Sequence, residues 1–379
     1  MAELPMPYQV RKYFYQKAAA TRLPISGTFE LTPRCNMNCA MCYIRMSQEE
    51  MKSRGRERTA QEWIDLGKAC AERGMLFLLI TGGEPLLRPD FRQIYSELKK
   101  LGLLITINTN GTLLDEQTIA WLAGNAPTKV NVTVYGGSNE TYRRLCGHST
   151  GFDAMRRGVE LLLQAGIFVH LNTSLTNYNI DDLESIGQFG RAHGLTVNAA
   201  TYMFPPVRSA REGKCDCAVR FTPEQAGLAR AEADIRLLPE EVLERKLRMI
   251  HKGCAEPEST EECERMADEK MGCMAGKSSF WVTWDGRMTP CGMMNQPVVA
   301  PFEEGFDRAW QSLVDQTAAF TLPKACAACR MRPHCIVCGA LCAAETGATD
   351  QKPTYLCRQT ETYLQRMAQE IRRRGYDNR

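Results

Sequence analysis

The stretch Thr32-Pro-Arg-Cys-Asn-Met-Asn-Cys-Ala-Met-Cys-Tyr43 places cysteines at positions 35, 39 and 42. This C-x3-C-x2-C spacing offers three thiolates to an iron-sulfur cube, which has four irons. Zinc usually takes four protein ligands in pairs, so three cysteines without a nearby histidine fit zinc poorly. Zinc and buried structural thiols remain the alternatives. The spacing therefore predicts that Cys35, Cys39 and Cys42 hold a [4Fe-4S] cluster with one iron open to a further ligand.

Short apolar runs alternate with longer amphipathic stretches between Gly27 and about Tyr202. The apolar runs predict strands at 28–31, 75–80, 103–108, 130–135, 168–174 and 195–201. The stretches between them predict helices near 60–73, 89–101, 115–123, 152–165 and 181–193, several of them followed by glycine. Strands that alternate with crossover helices form a parallel sheet. We therefore expect an α/β fold, a partial (β/α)6 barrel.

A glycine-rich acidic turn, Thr81-Gly-Gly-Glu-Pro85, follows the second predicted strand, and the cysteine loop follows the first. Parallel-strand folds bind ligands at the carboxyl ends of their strands, so the two motifs are expected to share one site. Together they resemble the radical S-adenosylmethionine (SAM) superfamily, in which the amino and carboxylate groups of SAM chelate the open iron. The resemblance implies a SAM-binding [4Fe-4S] cluster and SAM itself as cofactors.

The resemblance also assigns contacts to SAM. Gly82 and Gly83 let the backbone approach closely, and the Glu84 carboxylate pairs with the amino group. A Gly-Gly turn that only ends a strand is the alternative. The residue before the third cysteine is usually aromatic in the family and touches adenine, but here it is Met41, and Tyr43 follows that cysteine. A thioether can pack on a purine, so both residues are adenine candidates.

The fourth predicted strand leads into Val132-Thr-Val-Tyr-Gly-Gly137, where relatives often carry a Ser-Leu-Asp-Gly type segment. Thr133 then matches the hydroxyl that serves the ribose or carboxylate region of SAM. Arg144, or its neighbour Arg143, is expected to clamp the SAM carboxylate, and an exposed solvated charge is the alternative. No catalytic acid or base is assigned.

Cysteines are dense from Cys254 to Cys357. A Gly286-x4-Cys291 step follows Cys273, and the run ends in Cys326-x2-Cys329-x5-Cys335-x2-Cys338-x3-Cys342 and Cys357. This pattern resembles the SPASM domain, the extension of many peptide- and protein-modifying radical SAM enzymes that usually holds two auxiliary [4Fe-4S] clusters. We expect a cysteine-rich, mostly irregular domain, with a zinc ribbon as the alternative.

The family run has one cysteine fewer, so the ligand assignment stays open. The resemblance gives the outer cluster Cys326, Cys329, Cys335 and Cys357. It gives the inner cluster Cys273, Cys291 and either Cys338 or Cys342, with Cys254 or Cys263 as a further ligand. Among the remaining cysteines, Cys70 is expected in the core. Cys146, Cys215 and Cys217 are interpreted as incidental thiols, with substrate contact as the alternative for the last two.

Composition narrows the function classes. The 379 residues are 44% apolar and 24% charged, which is typical of a globular chain with more than one core. The 47 basic and 44 acidic residues nearly balance, so nucleic acid is not an expected partner. No apolar run is long enough to span a membrane and no signal peptide is evident, so we expect a cytoplasmic protein with reduced, metal-binding cysteines.

These patterns predict five segments. They are an amino-terminal extension at 1–26, a radical SAM partial barrel at 27–204, a linker with bridging helices at 205–253, a SPASM domain at 254–357 and a carboxyl-terminal helix at 358–379. The helical stretches from 223 to about 252 are interpreted as a solvated amphipathic bridge between domains.

The resemblance implies that SAM is cleaved reductively to a 5′-deoxyadenosyl radical, which abstracts hydrogen from a substrate. SPASM enzymes commonly modify ribosomally made peptides, so oxidative modification or cross-linking of a peptide is the expected function. A flavodoxin or ferredoxin is the expected reductant. A separate leader-recognition protein is a further expected partner, since only about 26 residues precede the first strand.

Three other functions stay open. They are a small-molecule radical oxidoreductase, a non-catalytic iron-sulfur scaffold and sulfatase-maturase-like protein oxidation. The last is disfavoured because those relatives carry an aspartate where this chain has Gly292.

Overall fold

The computed structural model describes residues 8–205, 218–252 and 273–376. Its contacts divide the chain into two compact units. The first contains the chain up to Asn172 together with Met274–Ala319. The second contains Thr173–Phe204, the helices that follow residue 218, and the chain from Phe320 onward. The cysteine loop and the glycine-rich turn both belong to the first unit.

A parallel sheet forms the centre of the first unit. Its strands in chain order are β1 Ser26–Glu30, β2 Phe77–Thr81, β3 Leu104–Thr109, β4 Lys129–Thr133 and β5 Val169–Ser174. Strands adjacent in sequence pair in the sheet, with Gly27 opposite Leu78 and Ile107 opposite Val130. The division between the units falls inside β5, and the second unit continues to β6 Val197–Ala200. All six predicted strands are present, and their ends lie within about two residues of the expected ones.

The helices of the described residues follow in chain order. They are α1 Tyr8–Ala20, α2 Gln48–Arg54, α3 Ala60–Glu72, α4 Phe91–Lys100, α5 Glu116–Gly124, α6 Asn139–Cys146, α7 Gly151–Gln164, α8 Leu183–Ala192, α9 Pro223–Leu237, α10 Glu240–His251, α11 Pro301–Glu304, α12 Phe306–Ala318, α13 Lys324–Ala327, α14 Gly339–Thr346 and α15 Thr354–Arg373. The predicted crossover helices correspond to α3, α4, α5, α7 and α8. None of these helices is long and apolar enough to cross a membrane.

The two faces of the sheet differ in chemistry. One face is apolar and lies under the helices, where Phe29 packs on Trp63 of α3 with ring centroids 5.0 Å apart. The other face carries half-buried polar side chains, and Nδ2 of Asn131 donates to Oδ1 of Asn108 over 2.7 Å. Parallel strands covered by core on both faces are usually apolar throughout. A polar face is therefore suited to contact with a polar ligand.

Two strands from the tail extend this sheet. β7 Ser279–Val282 pairs parallel with β1, with Trp281 opposite Thr28, and β8 Met288–Thr289 pairs antiparallel with β7. The aromatic ring of Phe280 packs on α12, 5.2 Å from Phe306 between centroids. The tail thus has more regular structure than the expected mostly irregular domain. Strands of four and two residues are too short to show a clear alternation in sequence.

The helices α9 and α10 pack against α15 inside the second unit. Their shared buried cluster consists of Ala231, Leu243, Leu247, Tyr363, Met367 and Ile371. Both helices were predicted from the sequence. Their interpretation as a solvated bridge is wrong, because each buries an apolar face in a core of its own unit.

Candidate active site

The cysteine loop lies along the glycine-rich turn at the carboxyl ends of β1 and β2. The N–H of Gly83 donates to the carbonyl of Thr32 over 2.6 Å, and the N–H of Glu84 donates to the carbonyl of Arg34 over 2.8 Å. A Cβ on Gly82 would lie 2.6 Å from the Thr32 oxygen, and one on Gly83 would lie 2.3 Å from the Arg34 oxygen. Only glycine fits at both positions, because the turn approaches the backbone of the loop so closely.

N–H groups point at two of the three sulfurs. Sγ of Cys35 accepts from the N–H of Met37 over 3.4 Å and from Nδ2 of Asn110 over 3.7 Å. Sγ of Cys42 accepts from the N–H of Arg45 over 3.2 Å. Burial raises the pKa of Cys35 to about 12 and also raises the pKa of Cys42. Metal binding must therefore displace thiol protons, after which these N–H groups stabilise the thiolates.

Three thiols on one loop match the donor chemistry of an iron-sulfur cluster. Across residues 8–205, 218–252 and 273–376, no three His, Cys, Asp or Glu side chains are arranged to hold a single metal ion. A zinc ion needs its ligands around one point, whereas each cysteine of a cluster binds a different iron. The described cysteines are also all free of disulfides. The loop therefore offers the thiol donors that a [4Fe-4S] cluster requires.

Glu84 is fully buried beside the loop. Its carboxylate accepts from the hydroxyl of Thr109 over 2.9 Å, from the N–H of Asn110 over 2.8 Å and from the N–H of Leu86 over 3.1 Å. Burial raises the pKa of Glu84 to about 7, although these hydrogen bonds oppose the shift. A carboxylate that is fixed in place and costly to ionise alone is suited to a cationic ligand group.

Asn110 connects the Glu84 carboxylate to the cysteine loop, and sequence reasoning missed it. Its Nδ2 donates to Oδ1 of Asn36 over 2.9 Å, and Asn36 donates to the hydroxyl of Thr112 over 2.8 Å. Asn110 directly follows β3, and polar residues at the carboxyl end of a parallel strand were the available signal.

Salt bridges and backbone contacts hold the start of the loop. Nε and Nη2 of Arg34 each donate to the carboxylate of Glu57 over 2.9 Å, and the hydroxyl of Thr32 donates to the same carboxylate. Arg88 is buried and donates to the carbonyl of Leu31 over 2.8 Å. The segment from Leu31 to Arg34, which precedes the first cysteine, is therefore held by Arg88 at one end and by Glu57 at the other.

The other predicted SAM contacts lie on three different elements. Met41 and Tyr43 are half-buried on the cysteine loop, Thr133 is half-buried at the end of β4, and Arg144 is exposed on α6. Its neighbour Arg143 is also exposed and pairs with Glu140 on the same helix, with Nη2 and Oε1 2.6 Å apart. Both arginines of α6 are therefore exposed, and Arg143 is held by its pairing with Glu140.

The interpretation of Cys146 as an incidental thiol is corrected by the structure. Cys146 is fully buried at the end of α6, and its side chain is hydrogen-bonded to Cys39. This contact and burial raise the pKa of Cys39 well above its ordinary value, while a hydrogen bond from Tyr135 opposes the shift. The prediction that Cys70 lies in the core is confirmed.

Cysteines of the tail lie close together in the second unit. Burial raises the pKa of Cys326, and negative charge on Cys357, Cys335 and Cys329 raises it further. These four residues are the set that the resemblance assigns to the outer cluster.

Cys338 and Cys342 belong to one apolar cluster, in which Cys342 is fully buried and Cys338 is half-buried. Burial and then the charge of Cys273 raise the pKa of Cys338. Cys342 is fully buried in an apolar cluster with Leu341 and Leu356, and burial raises its pKa to about 12. Cys291 belongs to the first unit, where its Sγ accepts from the N–H of Met293 over 3.4 Å. Cys215, Cys217, Cys254 and Cys263 lie outside the described residues.

Gly292, directly after Cys291, lies against the indole of Trp281. A Cβ at this position would lie 2.8 Å from the indole ring. Nε1 of Trp281 donates to Oε2 of Glu30 over 2.9 Å, and Glu30 is fully buried at the end of β1. An aspartate in place of Gly292 would therefore displace a tryptophan that is fixed by a buried carboxylate.

One family model matches the first part of the chain, and relatives match over longer stretches. Residues 29–190 match the family model described as Radical SAM superfamily. The chain is 25% identical over 342 residues to the AdoMet-dependent heme synthase of Methanosarcina barkeri, covering 87% of this chain and 95% of that protein. It is 24% identical over 278 residues to the sporulation killing factor maturation protein SkfB of Bacillus subtilis, covering 73% and 62%. It is 27% identical over 284 residues to a probable GTP 3′,8-cyclase of Methanothermobacter marburgensis, covering 73% and 86%.

Solved structures match over nearly the whole chain. Native anSMEcpe with bound AdoMet has a TM-score of 0.68 at 16% identity, covering 94% of this chain and 100% of that one. Streptococcus suis SuiB bound to S-adenosylmethionine has a TM-score of 0.64 at 15% identity, covering 94% and 82%. At such identities the likeness establishes the fold alone. The predicted α/β radical SAM fold with its partial parallel sheet is confirmed.

Proposed function

From the premise that residues 29–190 form a radical SAM domain, we propose that this protein is an enzyme that modifies a peptide by radical chemistry. Such a domain uses a [4Fe-4S] cluster and SAM. The observation that carries the proposal is the loop of Cys35, Cys39 and Cys42, joined by backbone hydrogen bonds to the Gly83-Glu84 turn.

Cys35, Cys39 and Cys42 would hold the cluster. When bound, the cluster and SAM supply one-electron reduction of the sulfonium and a carbon-centred radical that removes hydrogen from substrate. Gly82 and Gly83 keep the turn against the loop, which places the Glu84 carboxylate beside the cysteines. Glu84 then binds the ammonium group of SAM and, once paired with it, becomes ionised at neutral pH.

Further contacts orient the rest of SAM. Met41 and Tyr43, on the loop itself, pack on adenine. Thr133 donates its hydroxyl to the ribose or carboxylate region, and Arg144 binds the carboxylate. An arginine fits this last task because its planar guanidinium can bind a carboxylate through two hydrogen bonds.

The tail cysteines hold auxiliary clusters of the SPASM type. Cys326, Cys329, Cys335 and Cys357 form the outer ligand set, supported by the effect of Cys329 and Cys335 on the pKa of both Cys326 and Cys357. Cys273 and Cys338 belong to the inner set. Cys338 is preferred to Cys342 here because the charge of Cys273 acts on Cys338.

A peptide is the proposed substrate. SkfB, a relative over much of the chain, is named as a maturation protein for the sporulation killing factor. SuiB, which shares the fold, is also known in a complex with its precursor peptide SuiA. The amides of Asn108 and Asn131 on the polar face of the sheet offer hydrogen bonds suited to a peptide backbone. A flavodoxin or ferredoxin supplies electrons, and a separate protein recognises any leader sequence.

A tetrapyrrole is the second candidate substrate. The observation that favours it is the alignment with the AdoMet-dependent heme synthase of Methanosarcina barkeri, which extends over 95% of that protein. Fold does not decide between these substrates, because one fold supports many reactions.

Anaerobic reconstitution tests the enzyme proposal. We expect about twelve irons per chain, from three four-iron clusters, and 5′-deoxyadenosine when SAM and dithionite are added. A triple variant, C35A/C39A/C42A, should lose 5′-deoxyadenosine formation while keeping about eight irons. Iron near four in the wild-type protein contradicts the SPASM assignment. A wild-type protein that forms clusters but never cleaves SAM is a scaffold instead.

A comparison of substrates tests the proposal that the substrate is a peptide. The reconstituted enzyme is incubated with unlabelled SAM and with either deuterated peptide pools or a deuterated porphyrin. Transfer of deuterium into 5′-deoxyadenosine identifies the pool that loses hydrogen. Transfer from peptide supports the proposal, and transfer from the porphyrin alone replaces it with the tetrapyrrole reaction.

A further inference from the structure

The motif cysteines differ in the groups that approach their sulfurs. Cys35 accepts hydrogen bonds from the Met37 N–H and the Asn110 amide, and Cys42 accepts one from the Arg45 N–H. Cys39 instead meets two side chains from distant positions in the sequence, Cys146 and Tyr135. Through these two hydrogen bonds, Cys39 contacts Cys146 at the end of α6 and Tyr135 after β4.

Backbone hydrogen bonds fix Cys146 in register with Cys39. The N–H of Asn38 donates to the carbonyl of Cys146 over 2.8 Å, and the N–H of Ala40 donates to the carbonyl of Leu145 over 2.9 Å. These two bonds lie on either side of Cys39. The end of α6 is thereby tied to the middle of the cysteine loop, and the fully buried Cys146 side chain lies beside the Cys39 side chain.

Tyr135 is held by a tyrosine on the same helix α6. The N–H of Tyr135 donates to the hydroxyl of Tyr142 over 3.1 Å, and the two rings meet edge to face with centroids 5.9 Å apart. Tyr142 is fully buried. The Tyr135 hydroxyl is consequently directed at Cys39 by a rigid support.

A thiolate bound to iron can only accept hydrogen bonds, so Cys146 and Tyr135 must both act as donors when Cys39 ligates the cluster. Hydrogen bonds to cluster sulfurs stabilise the more negative, reduced state and raise the reduction potential. We propose that Cys146 and Tyr135 are positioning residues that hold Cys39 and raise the reduction potential of the SAM-binding cluster. This inference rests on the proposed function in that Cys39 must be a cluster ligand.

The test is a redox titration of the reconstituted full-length protein, followed by electron paramagnetic resonance. The signal that changes when SAM is added reports the SAM-binding cluster and separates it from auxiliary clusters. We expect C146A and Y135F to shift the midpoint potential of that signal to more negative values. C146S keeps a donor of similar size and should stay close to the wild-type potential.

Matched controls come from buried residues elsewhere in the first unit. Cys70 on α3 is fully buried, and Tyr95 on α4 is fully buried with its hydroxyl donating to the carbonyl of Asn125 over 2.6 Å. The variants C70A and Y95F should leave the midpoint potential unchanged. Iron and sulfide content, measured on every variant, shows whether its cluster is present.

Several outcomes overturn the inference. The inference is wrong if C146A and Y135F both keep full iron content and an unchanged midpoint potential. It is also wrong if the control variants C70A and Y95F shift the midpoint potential by the same amount. C146A could lose its cluster, and the other two variants then decide. A wild-type midpoint potential in C146S with a more negative one in Y135F supports the inference. An unchanged midpoint potential in Y135F overturns it. A wild-type protein without any SAM-responsive signal contradicts the proposed function instead.

Discussion

The guanidinium of Arg34 and the carboxylate of Glu57 form two parallel hydrogen bonds, each 2.9 Å long, one residue before the first motif cysteine. The two side chains are 39% and 21% exposed, so solvent weakens the pair without removing it. Because the carbonyl of Arg34 also accepts from the N–H of Glu84, one residue joins the loop, its outer support and the glycine-rich turn.

Replacing Glu57 with glutamine should loosen the loop. A partly exposed ion pair is worth about 1 kcal/mol, which corresponds to about a fivefold change in a rate or an equilibrium constant. We expect E57Q to release iron about fivefold faster to a chelator, as followed by loss of the cluster absorbance under anaerobic conditions. E97Q removes an exposed pair with Lys100 on α4 and serves as the control. Equal release from both variants contradicts a role for Glu57 in the loop.

Gly83→Ala should prevent assembly of the site. The added methyl would lie 2.3 Å from the Arg34 carbonyl oxygen, and backbone cannot yield as a flexible side chain does. We expect overpacking to cost about 3 kcal/mol and the variant to lose SAM cleavage together with the loop cluster. Thermal unfolding and iron content measure the two effects.

Gly124→Ala is the matched control for that substitution. No atom lies within 4 Å of a Cβ at the end of α5, so alanine should be neutral or slightly stabilising there. Normal iron content in G83A would show that the close approach of turn and loop is not required.

The buried carboxyl group of Glu84 should make the stability of the cofactor-free protein depend on pH. Its pKa is raised from 4.5 to about 7, so the folded state retains a proton that the unfolded state has released. This contribution is fully present below the unfolded pKa and is lost as pH rises through the folded pKa. We expect wild type to lose stability relative to E84Q between pH 4.5 and pH 7, measured by denaturant unfolding of the apo protein. If the free energy of unfolding changes with pH in the same way in wild type and E84Q, the pKa of Glu84 is not raised.

Glu370 should contribute stability in the opposite pH range. Arg373 and Arg374 donate to its carboxylate over 2.9 and 2.8 Å, and chiefly the Arg373 bond lowers its pKa from 4.5 to about 2. The contribution is present above pH 4.5 and is lost as pH falls toward 2. We expect E370Q to cost about 2 kcal/mol at neutral pH and progressively less as pH falls through 2. The control E361Q changes an exposed residue of the same helix and should have no effect at either pH.

The sheet and the cysteine loop were predictable because their signals are local. Apolar runs between glycine-ended helices located β1 to β6, and the C-x3-C-x2-C run together with Gly82-Gly83-Glu84 located the two loops of the site. Each signal needs only the residues of one short window.

The support of the site was not predictable because it depends on distant residues. Helix α6 has eight residues, and without it nothing connects Cys146 to Cys39. Glu57 lies between α2 and α3, outside any motif. Asn110 can be recognised as part of the site only when β3 is placed beside β2. These residues act through hydrogen bonds across the fold, which a pattern along the chain does not encode.

The pairing of β7 with β1 has a consequence for synthesis. β1 occupies an interior place in the sheet, yet the partner on one of its sides is made about 250 residues later. As the chain leaves the ribosome, the edge of β1 therefore stays open until Ser279–Val282 has emerged. An open strand edge invites pairing with other chains. We expect a chain that stops before Ser279 to aggregate faster than the full chain, as measured by light scattering.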